Sequence, residues 1–185
     1  MRQFVCVSMQ DPEDPALAGL TIAVAHEKVL AELRSSGLDH RIVRPCGYFS
    51  DMGALLTMAK RGRAFLVGDR SNGMSPIHGR DLAQVFADSA EGDEVEVEAG
   101  GPETMTQQKA ALLAFDVVGK RPKITGIPLR AARGLVRALR LASEQFGDLG
   151  EFIVVAGEVD GLGPPRGTTT LRSYFEALAA GEPDA

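Results

Sequence analysis

The chain is poor in the residue types on which several functional classes depend. It has two cysteines and three histidines, and they form no CxxC, HExxH or HxH motif. A zinc site or a thiol-dependent or metal-dependent hydrolase is therefore not expected. Basic residues are in the minority, with 20 Lys and Arg against 25 Asp and Glu and a formal net charge of −5. Without a basic patch, we expect no nucleic-acid partner.

Long apolar runs are also missing. None approaches the roughly 18 residues that a transmembrane helix needs, so the sequence predicts no membrane partner. Cys6 and Cys46 lie outside any CxxC spacing, which is typical of a reducing compartment, and we expect a cytoplasmic protein. Hydrophobic residues make up 44% and charged residues 24% of the chain. This composition and length predict a single globular domain, 1–185.

Short β-branched runs alternate with stretches of helical periodicity along the chain. A strand at 4–8, expected to be buried on both faces, precedes a helix at 21–36 and a strand at 40–44 that ends at Pro45. Such units are almost always parallel and right-handed. The pattern further predicts helices at 51–61, 80–90, 104–118, 128–141 and 170–179, and strands at 65–67, 94–99 and 123–127. This alternation indicates the α/β class with a mostly parallel sheet.

Five segments follow one another over nearly all of residues 4–176. They are FVCVSM, AHEKVLAELRSSGLDHRIVRPCGYFSDM, MSPIHGRDLAQVFADSA, VEAGGPETMTQQKAALLAF and GTTTLRSYF. In this order and spacing they resemble the NAD(P)-binding atypical short-chain dehydrogenases/reductases, the NmrA-like group in particular. The resemblance implies a partial Rossmann-like, doubly wound sheet in 1–100 and a small α+β substrate-side region in 101–180.

The resemblance covers the second half of that fold. The Gly-rich strand–turn–helix that receives the pyrophosphate in complete members has no counterpart here. Gly100 and Gly101 follow a predicted strand but lack the GxGxxG spacing, which indicates a turn. Cofactor binding by this chain alone is therefore expected to be weak. The strand at 4–8 would then have an open edge, which predicts self-association or pairing with the missing half.

The resemblance also implies positions for the catalytic and cofactor-binding residues. Ser8 matches the strand-end serine of catalytic members, and Ile22 and His26 stand where those enzymes have their Tyr and Lys. Because Ile22 cannot transfer a proton, we expect no catalytic Tyr/Lys pair. His26 either hydrogen-bonds a nicotinamide ribose or is an ordinary helix residue, and Ser8 either contacts the cofactor or only ends its strand.

The turn after the second strand is the segment most directly implicated in cofactor binding. It consists of Pro45, Cys46, Gly47, Tyr48 and Phe49. A turn after a parallel strand lies at the carboxyl edge of the sheet, where open α/β folds bind ligands. The resemblance places this turn against the nicotinamide. Its two aromatic residues either form one wall of an apolar pocket or pack under the following helix.

Two functions remain in competition at this point. The first is an NAD(P)-binding oxidoreductase-like protein, truncated and without the Tyr/Lys pair, that acts on a small-molecule substrate. The second is a non-catalytic, NmrA-like protein that senses dinucleotides or regulates a partner.

A smaller prediction concerns the third helix, where Asp81 is expected to cap the N-terminus and to pair with Arg80.

Overall fold

The structure, a computed structural model, describes residues 3–10 and 14–182. The strands in this part are β1 (Gln3–Val7), β2 (Asp39–Pro45), β3 (Ala64–Val67), β4 (Gly73–Met74), β5 (Glu96–Ala99), β6 (Met105–Thr106) and β7 (Ile124–Ile127). The helices are α1 (Thr21–Ser35), α2 (Phe49–Lys60), α3 (Gly79–Glu91), α4 (Gln107–Val117), α5 (Leu129–Ala142), α6 (Glu144–Ala156) and α7 (Leu171–Ala180). No helix in these two ranges is both long and apolar enough to span a membrane.

The main sheet is parallel, in the order β1–β2–β5. On one face, Val43 of β2 is fully buried and packs with Leu82 and Val85 of α3. The next residue, Arg44, points to the opposite face because side chains alternate along a strand, and its guanidinium lies 3.8 Å from the Glu27 carboxylate of α1. Helices therefore lie on both faces of the sheet, and the predicted doubly wound α/β class is confirmed.

A second layer of structure follows the main sheet. β3 and β7 form a parallel pair, and β4 and β6 an antiparallel pair. Together with α2, α4 and α7 they enclose the largest apolar core. Its fully buried members include Leu56, Phe115, Leu171 and Phe175. These residues come from three helices far apart in sequence, so the core holds the C-terminal region to the middle of the chain.

The hairpin of α5 and α6 has two unlike sides. The helices approach closely at Gly147, where an added Cβ would lie 2.6 Å from the Arg140 Cβ. On one side Arg140 donates to Asp148 at 2.8 Å. The large apolar residues that remain exposed on these two helices are Leu135, Leu139, Leu141, Phe146, Leu149 and Ile153.

The structure departs from the predicted elements in four respects. Helix α6 was not predicted, nor were the two-residue strands β4 and β6. α4 begins at Gln107, and its N-cap is Thr106, whose hydroxyl accepts a hydrogen bond from the Lys109 N–H at 3.2 Å. The expectation that the first strand is buried on both faces is wrong, since every residue of β1 is half-buried or exposed. The physical reason is its edge position, with a paired neighbour on one side.

Candidate active site at the carboxyl edge of the sheet

The three parallel strands of the main sheet end at one edge. The Ser8 N–H donates to the Val43 carbonyl at 2.9 Å, and the Cys46 N–H donates to the Ala99 carbonyl at 3.0 Å. These bonds bring Ser8, the turn 45–49 and the Gly100 turn side by side. The structure therefore brings together most of the predicted site residues at the edge where such sheets bind ligands.

Arg44 links the segment that follows β1 to the first residue of β5. It is 6% exposed, and its Nη1 donates to the Met9 carbonyl at 2.6 Å and lies 3.5 Å from the Ser8 hydroxyl. Its Nε donates to Glu96 at 3.1 Å. Burial opposes ionisation of Glu96, but hydrogen bonds from Arg34 and Arg44 hold the pKa of this carboxyl below its usual value. The ion pair holds the Arg44 guanidinium in place, and its hydrogen bond to the Met9 carbonyl ties down the segment that follows β1.

The turn 45–49 owes its shape to Gly47. Its φ of +109° lies in the region that favours glycine. The Gly47 carbonyl accepts from the Ile77 N–H at 3.0 Å, and the Ile77 carbonyl accepts from the Phe49 N–H at 3.1 Å. The turn is therefore attached to the segment before α3, and Gly47 and Tyr48 remain its half-buried residues.

Glycines allow the segments around Pro76, Gly101 and Gly163 to pack closely at this turn. A Cβ on Gly101 would lie 2.0 Å from the Pro76 carbonyl oxygen, and a Cβ on Gly163 would lie 2.2 Å from the Cys46 sulfur. Both distances are far below van der Waals contact. The segment around Gly163 therefore covers Cys46, which is 6% exposed. Neither of these close contacts was predicted from the sequence. Gly163, for example, is 117 positions after Cys46.

The second aromatic residue of the turn belongs to the core. Phe49 is 2% exposed, and its ring centroid lies 5.9 Å from that of His78 and 5.5 Å from that of Tyr174. Of the two interpretations of the aromatics, this placement favours packing for Phe49. Tyr48 is half-buried and packs beside Val43 and Ile77, so its role as a pocket wall stays a prediction.

Both tyrosines of the chain have environments that favour the protonated phenol. Desolvation and the nearby Asp51 carboxylate raise the pKa of Tyr48, and the same two causes raise the pKa of Tyr174. Burial also raises the pKa of Asp51. At neutral pH the Tyr48 hydroxyl can therefore donate a hydrogen bond, but it is a poor general base.

The predicted role of Asp81 is wrong. His78 is the N-cap of α3, and its Nδ1 accepts from the Arg80 N–H at 3.1 Å. Asp81 accepts instead from the Thr168 and Thr169 N–H groups, at 2.8 Å each. The reason is positional, because Asp81 is the third residue of the helix and its carboxylate faces the segment that precedes α7.

His26 is half-buried on α1, next to Glu27, the residue that faces Arg44. Reasoning from the sequence assigned no role to Arg44 or to Gln10, whose amide donates to the Leu162 carbonyl. One signal was available for Arg44, since a charged residue near the end of an apolar parallel strand needs a buried partner. The partners come from α1 and β5, and no spacing in the sequence identifies them.

The end of β1 at Ser8 is not followed by a phosphate cradle. Met9, Gln10, Gly47 and Tyr48 are half-buried and leave polar and apolar groups accessible along the strand ends. Gly19 is the one glycine between Ser8 and α1, and a Cβ there would meet open space. A phosphate cradle needs several glycines whose backbone approaches the ligand closely. Among the described residues, no group of three His, Cys, Asp or Glu side chains is placed to hold a metal ion.

The fold defines a class of protein, the Rossmann-like α/β proteins. The chain resembles an NADPH-dependent quinone oxidoreductase from Escherichia coli, solved in complex with NADPH, with a TM-score of 0.75 and 19% identity. This match covers 97% of the chain and 66% of that structure. A triphenylmethane reductase from Citrobacter sp. matches with a TM-score of 0.74 and 12% identity, over 98% of the chain and 66% of that structure. These likenesses show the fold.

Two curated relatives carry the same name, divinyl chlorophyllide a 8-vinyl-reductase, chloroplastic. The protein from Arabidopsis thaliana is 27% identical over 128 residues, which is 66% of this chain and 31% of the relative. The protein from Oryza sativa subsp. indica is 25% identical over 202 aligned residues, which is 95% of this chain and 50% of the relative. The chain thus spans half or less of these relatives. No protein-family model matches it.

Proposed function

We propose that the chain is the nicotinamide-side part of an NAD(P)H-dependent oxidoreductase of the atypical short-chain dehydrogenase/reductase type. Residues 1–100 are the second half of its Rossmann-like core, and 101–180 its substrate-side region. The cofactor-binding residues are Ser8, His26 and the turn 45–49. The observation that carries the proposal is the meeting of Ser8 and this turn at the carboxyl edge of the parallel sheet.

The substrate class we propose is a conjugated electron acceptor. The printed names of the relatives denote a vinyl-reductase, a quinone oxidoreductase and a triphenylmethane reductase. A reduced nicotinamide held by Ser8, His26 and the turn 45–49 would supply a hydride for an electrophilic atom of the acceptor, and solvent would supply the proton that completes the reduction. The raised pKa of Tyr48 is consistent with this chemistry, because a conjugated acceptor needs no phenolate in the site.

A second candidate, a dinucleotide-sensing protein without catalysis, is favoured by one observation. Ile22, at the position where catalytic relatives would have their Tyr, is 44% exposed and apolar. Both candidate functions predict cofactor binding, but only the oxidoreductase predicts reduction of an electron acceptor. If reduced cofactor binds but a para-quinone acceptor is not reduced, the sensing function is supported.

The experiment that tests cofactor binding compares NADPH with reduced nicotinamide mononucleotide by calorimetry on residues 1–185. Because the pyrophosphate and adenosine contacts have no counterpart, both ligands should bind with similar dissociation constants, on the order of 1 mM. Tyr48→Ala should weaken both about equally. Phe65→Ala, at a side chain 47% exposed on β3, is the matched control and should change neither.

Two results would contradict the proposal. If neither ligand bound detectably at high concentration, the proposed nicotinamide site would be contradicted. A low-micromolar affinity for NADPH, far tighter than for the mononucleotide, would mean that the chain has a pyrophosphate site that its sequence does not reveal.

A further inference from the structure

Two basic segments lie side by side where the chain enters β3 and β7. They are residues 60–63, KRGR, and residues 120–123, KRPK. The two strands are parallel, and Ala64 pairs with Ile124 across them. Because each segment directly precedes one of these partners, the register of the strands places the segments next to each other. We call their six cationic side chains the basic surface, which consists of Lys60, Arg61, Arg63, Lys120, Arg121 and Lys123.

Both segments also follow the end of a helix. α2 ends at Lys60 and α4 ends at Val117, and the two helices pack against each other. The Lys120 ammonium donates to the Lys60 carbonyl, one of the carbonyls that a helix leaves without an internal partner. Cations are favourable at this end of a helix, but each end carries only about half a negative charge. Two helix ends therefore do not offset six cations.

The charges of the basic surface are exposed and unpaired. All six residues are exposed. Within residues 3–10 and 14–182 none of them forms an ion pair, whereas Arg34, Arg44 and Arg140 each pair with carboxylates. The rest of a chain whose net charge is −5 is correspondingly acidic. The expectation that this chain lacks a basic patch is therefore wrong, because two segments far apart in sequence form one.

An exposed aromatic ring lies beside these cations. Phe65 is 47% exposed and pairs with Thr125 of β7. Phe65 and Arg63 flank the fully buried Ala64, so alternation along the chain turns both toward the solvent face of the pair. Lys123 stands in the same relation to Thr125. The solvent face thus combines cations with one large apolar side chain.

The basic surface lies away from both β1 and the candidate site. β3 packs on β7, α2 and α4, whereas β1 packs on β2 and α3. The carboxyl end of the β3–β7 pair meets the segment that covers the site, since Gly68 lies close to the Gly157 carbonyl. The basic surface is at the amino end of the same two strands. A partner bound there leaves the carboxyl edge of the main sheet accessible.

We propose that the basic surface binds an anionic lipid bilayer. The cations stand in two parallel rows about 4.8 Å apart, so they spread over an area rather than along a line. A planar layer of acidic headgroups meets both rows at once, whereas a linear polyanion follows one. Phe65 is placed to enter the interface between headgroups and acyl chains, as aromatic residues of peripheral membrane segments do. Such binding needs no helix that spans the membrane, and it does not depend on the proposed function.

The expected strength follows from the number of charges. Each Lys or Arg near an anionic membrane surface strengthens binding about fivefold, so six strengthen it about 10⁴-fold. Because exposed charges are screened, raising the salt from about 0.1 M to about 0.5 M should release most of the protein.

The test is sedimentation of the whole chain with phosphatidylcholine vesicles that contain about 30% phosphatidylserine or none. We expect the wild type to bind the acidic vesicles, to be released by salt, and to bind the neutral vesicles at least tenfold less. The double variant Arg61→Gln with Arg121→Gln should bind the acidic vesicles about 25-fold less than the wild type. Arg130→Gln with Arg137→Gln removes the same charge from exposed positions on α5 and should stay within about threefold of the wild type.

The aromatic ring is tested separately. Phe65→Ala should lower binding to the acidic vesicles about fivefold, because the ring no longer enters the bilayer. Leu135→Ala, at a side chain 61% exposed on α5, is the matched control and should not lower it.

Four results would overturn the proposal. They are a wild type that does not bind the acidic vesicles, equal binding to acidic and neutral vesicles, undiminished binding by the Arg61→Gln and Arg121→Gln variant, and tighter binding to a single-stranded oligonucleotide or a poly-glutamate peptide than to the vesicles. The last result would assign the basic surface to a linear polyanion. Since salt release is measured on the wild type, the proposal stays testable even if a variant does not fold.

Discussion

At the scale of single residues, Tyr48 is the side chain on which the chemistry of the candidate site depends. It is half-buried at the carboxyl edge, and desolvation and Asp51 keep its phenol protonated. We expect Tyr48→Phe to leave any reductase turnover within about threefold of the wild type, since no phenolate is used. Steady-state kinetics with NADPH and a quinone acceptor checks this. A roughly thousandfold fall in kcat would identify Tyr48 as the proton donor or acceptor.

Asp81 gives a residue-scale prediction on pH. Burial opposes its ionisation, yet the Thr169 and Thr168 N–H groups hold its pKa below the ordinary value. A lowered pKa in the folded state stabilises the protein above the ordinary carboxyl pKa, and this contribution is lost as the pH falls through the folded-state pKa. Asp81→Asn should therefore cost about 1–2 kcal/mol at neutral pH and reduce the acid dependence of stability.

Urea unfolding at neutral pH and at about pH 3 measures both effects. Glu91→Gln, an exposed carboxylate at the other end of α3, is the control and should leave the acid dependence unchanged. Equal acid dependence in Asp81→Asn and the wild type would show that this carboxylate does not fasten the segment before α7.

At the scale of elements, the α5–α6 hairpin offers a matched pair of glycine substitutions. A Cβ at Gly147 would meet the Arg140 Cα at 2.9 Å, whereas a Cβ at Gly134 would meet nothing within 4 Å. We expect Gly147→Ala to destabilise the fold by about 1–3 kcal/mol through crowding, and Gly134→Ala to stabilise it by about 0.5–1 kcal/mol through helix propensity. Denaturant midpoints with equal m-values test the pair. A gain in stability from Gly147→Ala would show that the helices are not in close contact there.

Most elements could be predicted from the sequence because their apolar residues repeat at helix or strand spacing. α6 could not, since its two glycines, Gly147 and Gly150, lower helix propensity and are explained by contact with α5. The two-residue strands β4 and β6 exist because distant segments meet, as Gly73 pairs with Thr106. Short pairings of this kind have no signal in local periodicity.

The candidate site, too, could be predicted from the sequence only in part. Its place at the carboxyl edge followed from the parallel strand–helix–strand unit and from the turn after β2, both readable along the chain. The setting of Arg44 did not, because its partners Glu96 and Glu27 lie on β5 and α1, and no sequence pattern states which strands are neighbours. The low exposure of Phe49 likewise depends on His78 and Tyr174, which approach from elsewhere in the chain.

At the scale of the whole molecule, the C-terminal segment joins regions that are far apart in sequence. The Gly100 N–H donates to the Pro164 carbonyl at 2.9 Å, and the Ser75 N–H to the Gly161 carbonyl at 2.8 Å. Beyond them, Leu171 and Phe175 of α7 are fully buried. A chain that stops at residue 160 should therefore lose its cooperative thermal transition, because about 1.5–3 kcal/mol is lost for each such side chain. Calorimetry showing an unchanged transition would contradict this role.

The position of Gly163 against Cys46 has a consequence for the order in which the protein is made. The strand ends at Ser8, Cys46 and Ala99 leave the ribosome first, and roughly sixty further residues must be synthesised before the covering segment arrives. Until then the nascent chain can form the parallel sheet, but the segment around Gly163 does not yet cover the turn 45–49. Cys46 is therefore open to solvent. A thiol reagent added to stalled ribosome complexes should modify Cys46 in chains ending near residue 150 and much less in released full-length chains.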